Sequence, residues 1–179
     1  PGSVTLIAAS GKDALLASVA ETFEMAGERR LGATNWAGSR RQTVAVQEGF
    51  TPIVVCGAHM EGLPLNGDLT SLGAFLECAT ETSDVYRLYA LAGGPPARPG
   101  LIRCSDKGAR VSVEVWNLPT ENLGAVIATI PSPLGLGRVK LADGREEIGF
   151  LCESAGLEGA RDITEIGSWR RYISMSVGN

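Results

Sequence analysis

The chain holds a single histidine, at position 59, among 179 residues. Its cysteines are Cys56, Cys78, Cys104 and Cys152, far apart and with no C-x-x-C pair. One imidazole and scattered thiols leave no legible zinc site, because zinc wants several nitrogen or sulfur ligands at short, regular spacing. Cys56 and Cys152 lie in apolar runs, where a thiol acts as a small hydrophobe. Free thiols in a reducing cytoplasm are therefore expected. Basic residues are not in excess: Lys and Arg number 16, Asp and Glu 20, and the formal net charge is −4. The pairs Arg29-Arg30, Arg40-Arg41 and Arg170-Arg171 are too short and scattered to build the basic patch that nucleic acid requires. No apolar run is long enough for a membrane-spanning helix. The first residues lack the basic and apolar regions of a signal peptide, and Pro1-Gly2-Ser3 reads as a protease-cleavage scar. There is no P-loop, no dinucleotide G-x-G-x-x-G and no G-x-S-x-G elbow. Gly135-Leu136-Gly137 lacks a third glycine and reads as a turn. No cofactor is expected, and no repeat or low-complexity segment is present.

What is there suits one domain with an appendage, at 44% apolar residues. Residues 12–27 carry Leu15, Leu16, Val19, Phe23 and Ala26 at helical spacing, with Gly27 to stop the helix. Residues 28–49 are polar, glycine-containing and without period, which predicts a linker and a domain edge near residue 50. Beyond it the chain reads mostly as strands: Ile53–Cys56, Val85–Leu91, Leu101–Cys104, Val111–Trp116, and a hairpin of Arg138–Leu141 with Glu147–Cys152 around Asp143-Gly144. Short helices are predicted after Asn66, with Leu69, Leu72 and Leu76 on one face, after Thr120, and around Trp169–Ile173. Strands adjacent in sequence usually pair. The expected fold class is α+β: a small, mostly antiparallel, barrel-like sheet with short helices over residues 51–179, preceded by a helix and linker over residues 1–50.

The lone histidine stands where a core strand opens into a loop, in Gly57-Ala58-His59-Met60-Glu61-Gly62. Glycines at both ends let that backbone turn sharply and approach a ligand closely. Histidine exchanges protons near neutrality, so a proton-transfer role is one reading of His59. From position alone, a surface histidine with no task fits equally well. Nothing local selects a carboxylate pair from Glu114, Glu153, Glu158 and Asp162.

Seven strings in order, spanning residues 52–173, carry a family resemblance. They are Gly57–Asn66, Tyr86–Leu91, Pro99–Leu101, Val113–Trp116, Ile130–Gly137, Gly149–Glu153 and Leu157–Thr164. Together they resemble the C-terminal domain of allophanate hydrolase, and Leu31–Thr34 resembles the tail joining it to the family's amidase half. The resemblance implies a γ-glutamyl cyclotransferase-like fold. It further implies a chain without the amidase Ser–Ser–Lys centre, which would not release ammonia from allophanate unaided. The implied reaction is decarboxylation of N-carboxycarbamate, which the amidase half produces in urea and s-triazine breakdown. The implied partners are that small dicarboxylate substrate and an amidase domain of the same polypeptide; homo-oligomer formation stays open. Cyclotransferase activity is not expected, because the catalytic glutamate of those enzymes has no match here.

On this reading His59 is the catalytic acid. Two carboxylates need cationic or hydrogen-bonding partners. Gly57, Ala58 and Met60 would offer loop N–H groups, and Arg87 and Arg161 are the arginines inside matching strings. For Arg87 an outward-facing strand residue is an equal alternative, and for Arg161 a surface ion pair with Glu158 or Asp162 is another. Asn66 is a further substrate-binding candidate, with a helix cap as its alternative. Glu153 either orients His59 or points to solvent. A non-catalytic module that docks amidase domains is the competing function, motivated by the substrate's capacity to lose carbon dioxide unaided.

Overall fold

The computed structural model describes residues 5, 30–31, 36–37 and 48–177. The chain divides into two compact units, Pro1–Val44 and Ala45–Asn179. In the first, β1 (Arg30–Leu31) and β2 (Trp36–Ala37) pair antiparallel, within the stretch that the sequence reads as a plain linker. The helix expected over residues 12–27 lies outside the described residues.

The second unit runs β3 (Phe50–Val55), α1 (Asn66–Ser71), β4 (Phe75–Glu81), β5 (Tyr86–Ala90), β6 (Pro99–Arg103), β7 (Ser112–Pro119), α2 (Leu123–Thr129), β8 (Leu134–Lys140), β9 (Glu146–Cys152), β10 (Arg161–Asp162) and α3 (Trp169–Val177). Five strands form one sheet in the order β4-β7-β3-β9-β8, and three form another in the order β10-β5-β6. All pairs are antiparallel except β3 with β9, where Ile53 faces Ile148 and Val54 faces Gly149. The edge strands of the larger sheet meet at one end. Ser83 N–H donates to the Lys140 carbonyl at 2.8 Å, and Ala142 N–H to the Glu81 carbonyl at 2.9 Å. That contact curls the sheet toward a barrel, and β6 lies against β9.

Strand periodicity explains the core. Alternate residues face opposite sides of a sheet, so Val54 of β3 and Val113 and Val115 of β7 point inward. There they meet Tyr86, Leu88, Leu101 and Ile163 of the smaller sheet and the segment after it. Ile53, Val55, Trp116 and Leu118 point the other way and are covered by Leu69 of α1 and Val126 of α2. β3 is buried on both faces, which is why it reads as a continuous apolar run rather than an alternating one. Each fully buried Val, Leu or Ile contributes roughly 1.5–3 kcal/mol.

The α+β class and the mostly antiparallel, barrel-like sheet are as expected. Several local expectations are corrected. The helix after Asn66 stops at Ser71, and the chain turns at Gly73 into β4, a strand the sequence reading missed. Leu76, expected on that helix, packs from β4 into the same outer cluster as Leu69 and Leu72. Gly135-Leu136-Gly137 is strand rather than turn: it pairs with Leu151, Phe150 and Gly149 of β9. Within the second unit two of the pairings, β5-β6 and β8-β9, join sequence neighbours; β7 instead inserts between β3 and β4.

Candidate functional site

β3 delivers the chain into a loop folded by short-range bonds. Met60 N–H donates to the Gly57 carbonyl at 2.9 Å, Leu63 N–H to Met60 at 3.0 Å, and Leu65 N–H back to Ala58 at 2.9 Å. Gly62 takes a positive φ of 71°, as the turn demands. At Gly57 the requirement is space: a Cβ there would stand 2.7 Å from both Cγ and Cδ of Pro99. The loop and the start of β6 are thus in direct contact.

His59 is half-buried. Its ring stacks on Phe150 of β9, with centroids 5.1 Å apart and planes 18° from parallel. It helps line a cavity of about 380 Å³, whose wall also includes Gly57, Ala58, Asp68, Arg98, Ile130 and Phe150. Burial holds the imidazole below its ordinary pKa of 6.5, with Asp68 pulling weakly the other way. In the empty site the ring is therefore neutral at pH 7. Among the described residues, no backbone carbonyl accepts a hydrogen bond from the N–H of Gly57, Ala58 or His59. Arg98 is half-buried in the connection between β5 and β6, where its carbonyl accepts from Leu91 N–H at 3.0 Å.

The other expected site residues fall elsewhere. Met60 is buried in the outer core cluster and does not line this cavity. Asn66 does not cap α1; its Nδ2 donates to the His59 carbonyl at 2.9 Å, so it braces the loop. Arg87 is occupied by Asp106 at 3.0 Å and by the Lys107 carbonyl at 3.0 Å, away from the cavity wall. Arg161 is exposed in β10, opposite Ala90, and is also absent from the wall. Glu153 is exposed and makes no bond to His59. Arg98, Asp68 and Phe150 escaped the sequence reading. Arg98 carried one usable signal: a cation directly before the Pro99-Gly100-Leu101 string.

On the far side of the loop lies a buried carboxylate. Glu114 of β7 is 4% exposed. Its Oε2 accepts from Glu61 N–H at 2.8 Å and from Trp116 Nε1 at 3.0 Å. Its Oε1 accepts from Arg170 Nη2 of α3 at 2.7 Å. The same Nη2 donates to the Glu61 carbonyl at 2.5 Å. Burial by itself pushes this carboxyl up, but Arg170, the Glu61 amide and the Trp116 indole together hold it below its ordinary range.

Residues 51–174 match the family model described as the allophanate hydrolase C-terminal domain. Urea amidolyase of Saccharomyces cerevisiae is 42% identical over 127 residues, which is 69% of this chain and 7% of that protein. The chain thus spans a small part of that relative's length. The structure of Kluyveromyces lactis allophanate hydrolase superposes with a TM-score of 0.69 at 35% identity, over 83% of this chain and 24% of that one. A uropathogenic E. coli-specific protein superposes with a TM-score of 0.66 at 38% identity, over 70% of this chain and 96% of that one. With a family match over more than half its length, laid on a fold whose sole histidine helps line a cavity, the chain belongs to the allophanate hydrolase C-terminal domain family.

Proposed function

We propose that this domain decarboxylates N-carboxycarbamate, the product of an amidase domain carried by a longer polypeptide in the cytoplasm. The observation that supports this most is the placement of the only imidazole: half-buried in the wall of a cavity that Arg98 also lines, in a loop whose Gly57, Ala58 and His59 amides find no backbone acceptor among the described residues.

The substrate is a dianion with two carboxylates on one nitrogen. One carboxylate suits the Gly57–His59 amides, which act as an anion-binding concavity, and Arg98 adds a charge-assisted donor. Breaking the C–N bond releases carbon dioxide and leaves the electron pair on nitrogen. His59 Nε2 or Nδ1 gives that nitrogen its proton, the product is carbamate, and solvent restores the proton to the ring. Burial keeps the empty site's imidazole neutral, whereas two negative charges nearby favour the cationic form. The ring therefore takes up a proton as the dianion binds. Ile130 and Phe150 provide an apolar wall beside a carboxylate that must become neutral carbon dioxide.

The docking reading draws no comparable support. Among the described residues, the large apolar side chains that stand exposed, Phe75, Ile127 and Met175, sit on three different elements. The deciding measurement is carbon dioxide release from amidase-generated intermediate, with and without this domain, and with His59→Ala in its place. Acceleration by the parent and none by the variant supports the proposal; equal rates in all three refute it.

A further inference from the structure

The Glu114–Arg170 pair has no place in the chemistry above. Glu114 sits on the outward face of β7, in line with Trp116 and Leu118, where the strand pattern calls for an apolar side chain. A buried ion pair is poor evidence for stability, since well-packed apolar residues of similar volume often do as well or better. What an apolar residue could not do is accept the Glu61 N–H. That amide lies two residues from His59, inside the loop that forms the cavity wall.

The contacts around it converge on the same short segment. Glu61 is gripped through both backbone groups: its N–H by Glu114 and its carbonyl by Arg170. One Arg170 nitrogen serves the Glu61 carbonyl and the Glu114 carboxylate together, so α3, β7 and the loop meet at one point. Asn66 fixes the His59 carbonyl from within the loop. The residue between them, Met60, is 3% exposed and anchored in the outer core. The imidazole is thereby tethered on its N-terminal side by Gly57 against Pro99, and on its C-terminal side by the buried Glu114 carboxylate and its Arg170 partner. Its ring stacks on Phe150.

We infer that Glu114 and Arg170 are positioning residues: through the backbone of Glu61 they hold the His59 loop in the geometry that stacks the imidazole on Phe150 and aims the loop amides into the cavity. The inference rests on the proposed role of His59, and its test has a readout that does not need that role. Because the untagged protein has one histidine, the ring's NMR signals are unique and its titration can be followed without substrate.

Glu114→Gln removes the charge that gathers Arg170, and Arg170→Met removes the cation from a side chain that is 41% exposed, a change the fold tolerates more readily. In both, the His59 titration midpoint rises measurably toward the ordinary value, as the loop relaxes and the ring gains water. In both, turnover of amidase-generated intermediate falls about tenfold or more at a temperature where the variant is fully folded. Arg170→Lys, which keeps a cation with donors for both oxygens, stays within about threefold of the parent. If Glu114→Gln does not fold, Arg170→Met carries the test alone. An unmoved midpoint in the folded variants overturns the inference. So does a moved midpoint with turnover unchanged in a protein that His59→Ala inactivates. If His59→Ala is itself without effect, the decarboxylase reading fails, and a shifted midpoint still supports the positioning role.

Discussion

The loop from Gly57 to Asn66 has two sides that follow opposite rules. Toward Glu114, the buried carboxylate is matched by three donors, one of them from an arginine that bridges to the Glu61 carbonyl. Toward the cavity, three successive amides find no protein acceptor among the described residues, and an imidazole is kept neutral by burial. Buried polar groups are almost always satisfied internally. A side with unmatched amides, backed by a carboxylate that has three donors, is what an anion site on a rigid support should be. The contrast also separates arginines of equal charge. Arg87 is spent on Asp106, whereas Arg98 has no carboxylate within ion-pair distance among the described residues.

The largest effect expected from breaking this contrast is at His59. His59→Ala should lower turnover about 100-fold or more, the range for losing a general acid, with little change in melting temperature. Arg98→Met should come next, raising KM for the intermediate about tenfold, as loss of a hydrogen bond to a charged group predicts. Binding of malonate, in which CH2 replaces the substrate NH, should weaken in parallel, and calorimetry reads this directly. Gly57→Ala acts through packing. Its Cβ would stand 2.7 Å from the Pro99 ring, and overpacking of this kind costs about 1–3 kcal/mol in denaturant unfolding.

Acidification tests the buried imidazole. Its pKa is lower folded than unfolded, so its neutral form is compatible with full stability above pH 6.5. That contribution is lost as the pH falls from 6.5 through the lower, folded value. His59→Gln should flatten this part of the stability–pH curve, and an unchanged slope would place the ring in water. The smallest effect is expected at Arg87. Arg87→Ala breaks an exposed pair with Asp106, worth less than about 1 kcal/mol, and should leave turnover alone. A tenfold loss there would erase the distinction between the two arginines.

The histidine was legible in the sequence because its signal is local: one imidazole after a β-branched run, between two glycines. The class of fold was legible for the same reason, since β5, β7 and β9 keep recognisable apolar patterns over short windows. Arg98 was not, because it stands in a Gly/Pro-rich stretch with no period, and only the pairing of β5 with β6 brings it to the cavity wall that His59 shares. β4 was hidden by an irregularity between Leu76 and Cys78, which breaks its alternation while Leu69, Leu72 and Leu76 mimic a helical face. Gly135-Leu136-Gly137 reads as a turn by composition. In the barrel it is strand, and at Gly137 the neighbouring Leu151 fills the space where a side chain would stand. Arg87 and Arg161 drew notice by belonging to recognisable strings, but belonging to a string says nothing about which way a strand residue points. Glu114 carried no local sign of its partner, because Arg170 lies 56 residues away and joins it only through the tertiary fold.

The parallel pairing of β3 with β9 has a consequence for assembly. Val54 meets Gly149, and the ring beneath His59 belongs to the very next residue. Two of the loop's distant supports, Phe150 and Arg170, are therefore supplied by the final thirty residues of the sequence. A ribosome that has made everything up to the β8–β9 hairpin has produced the imidazole, the amides and the arginine, and still has no site. Proton donor and scaffold come together only when late-synthesised chain threads in alongside the earliest strand of the barrel, so a cut near residue 145 should abolish activity while leaving His59, the loop amides and Arg98 in place.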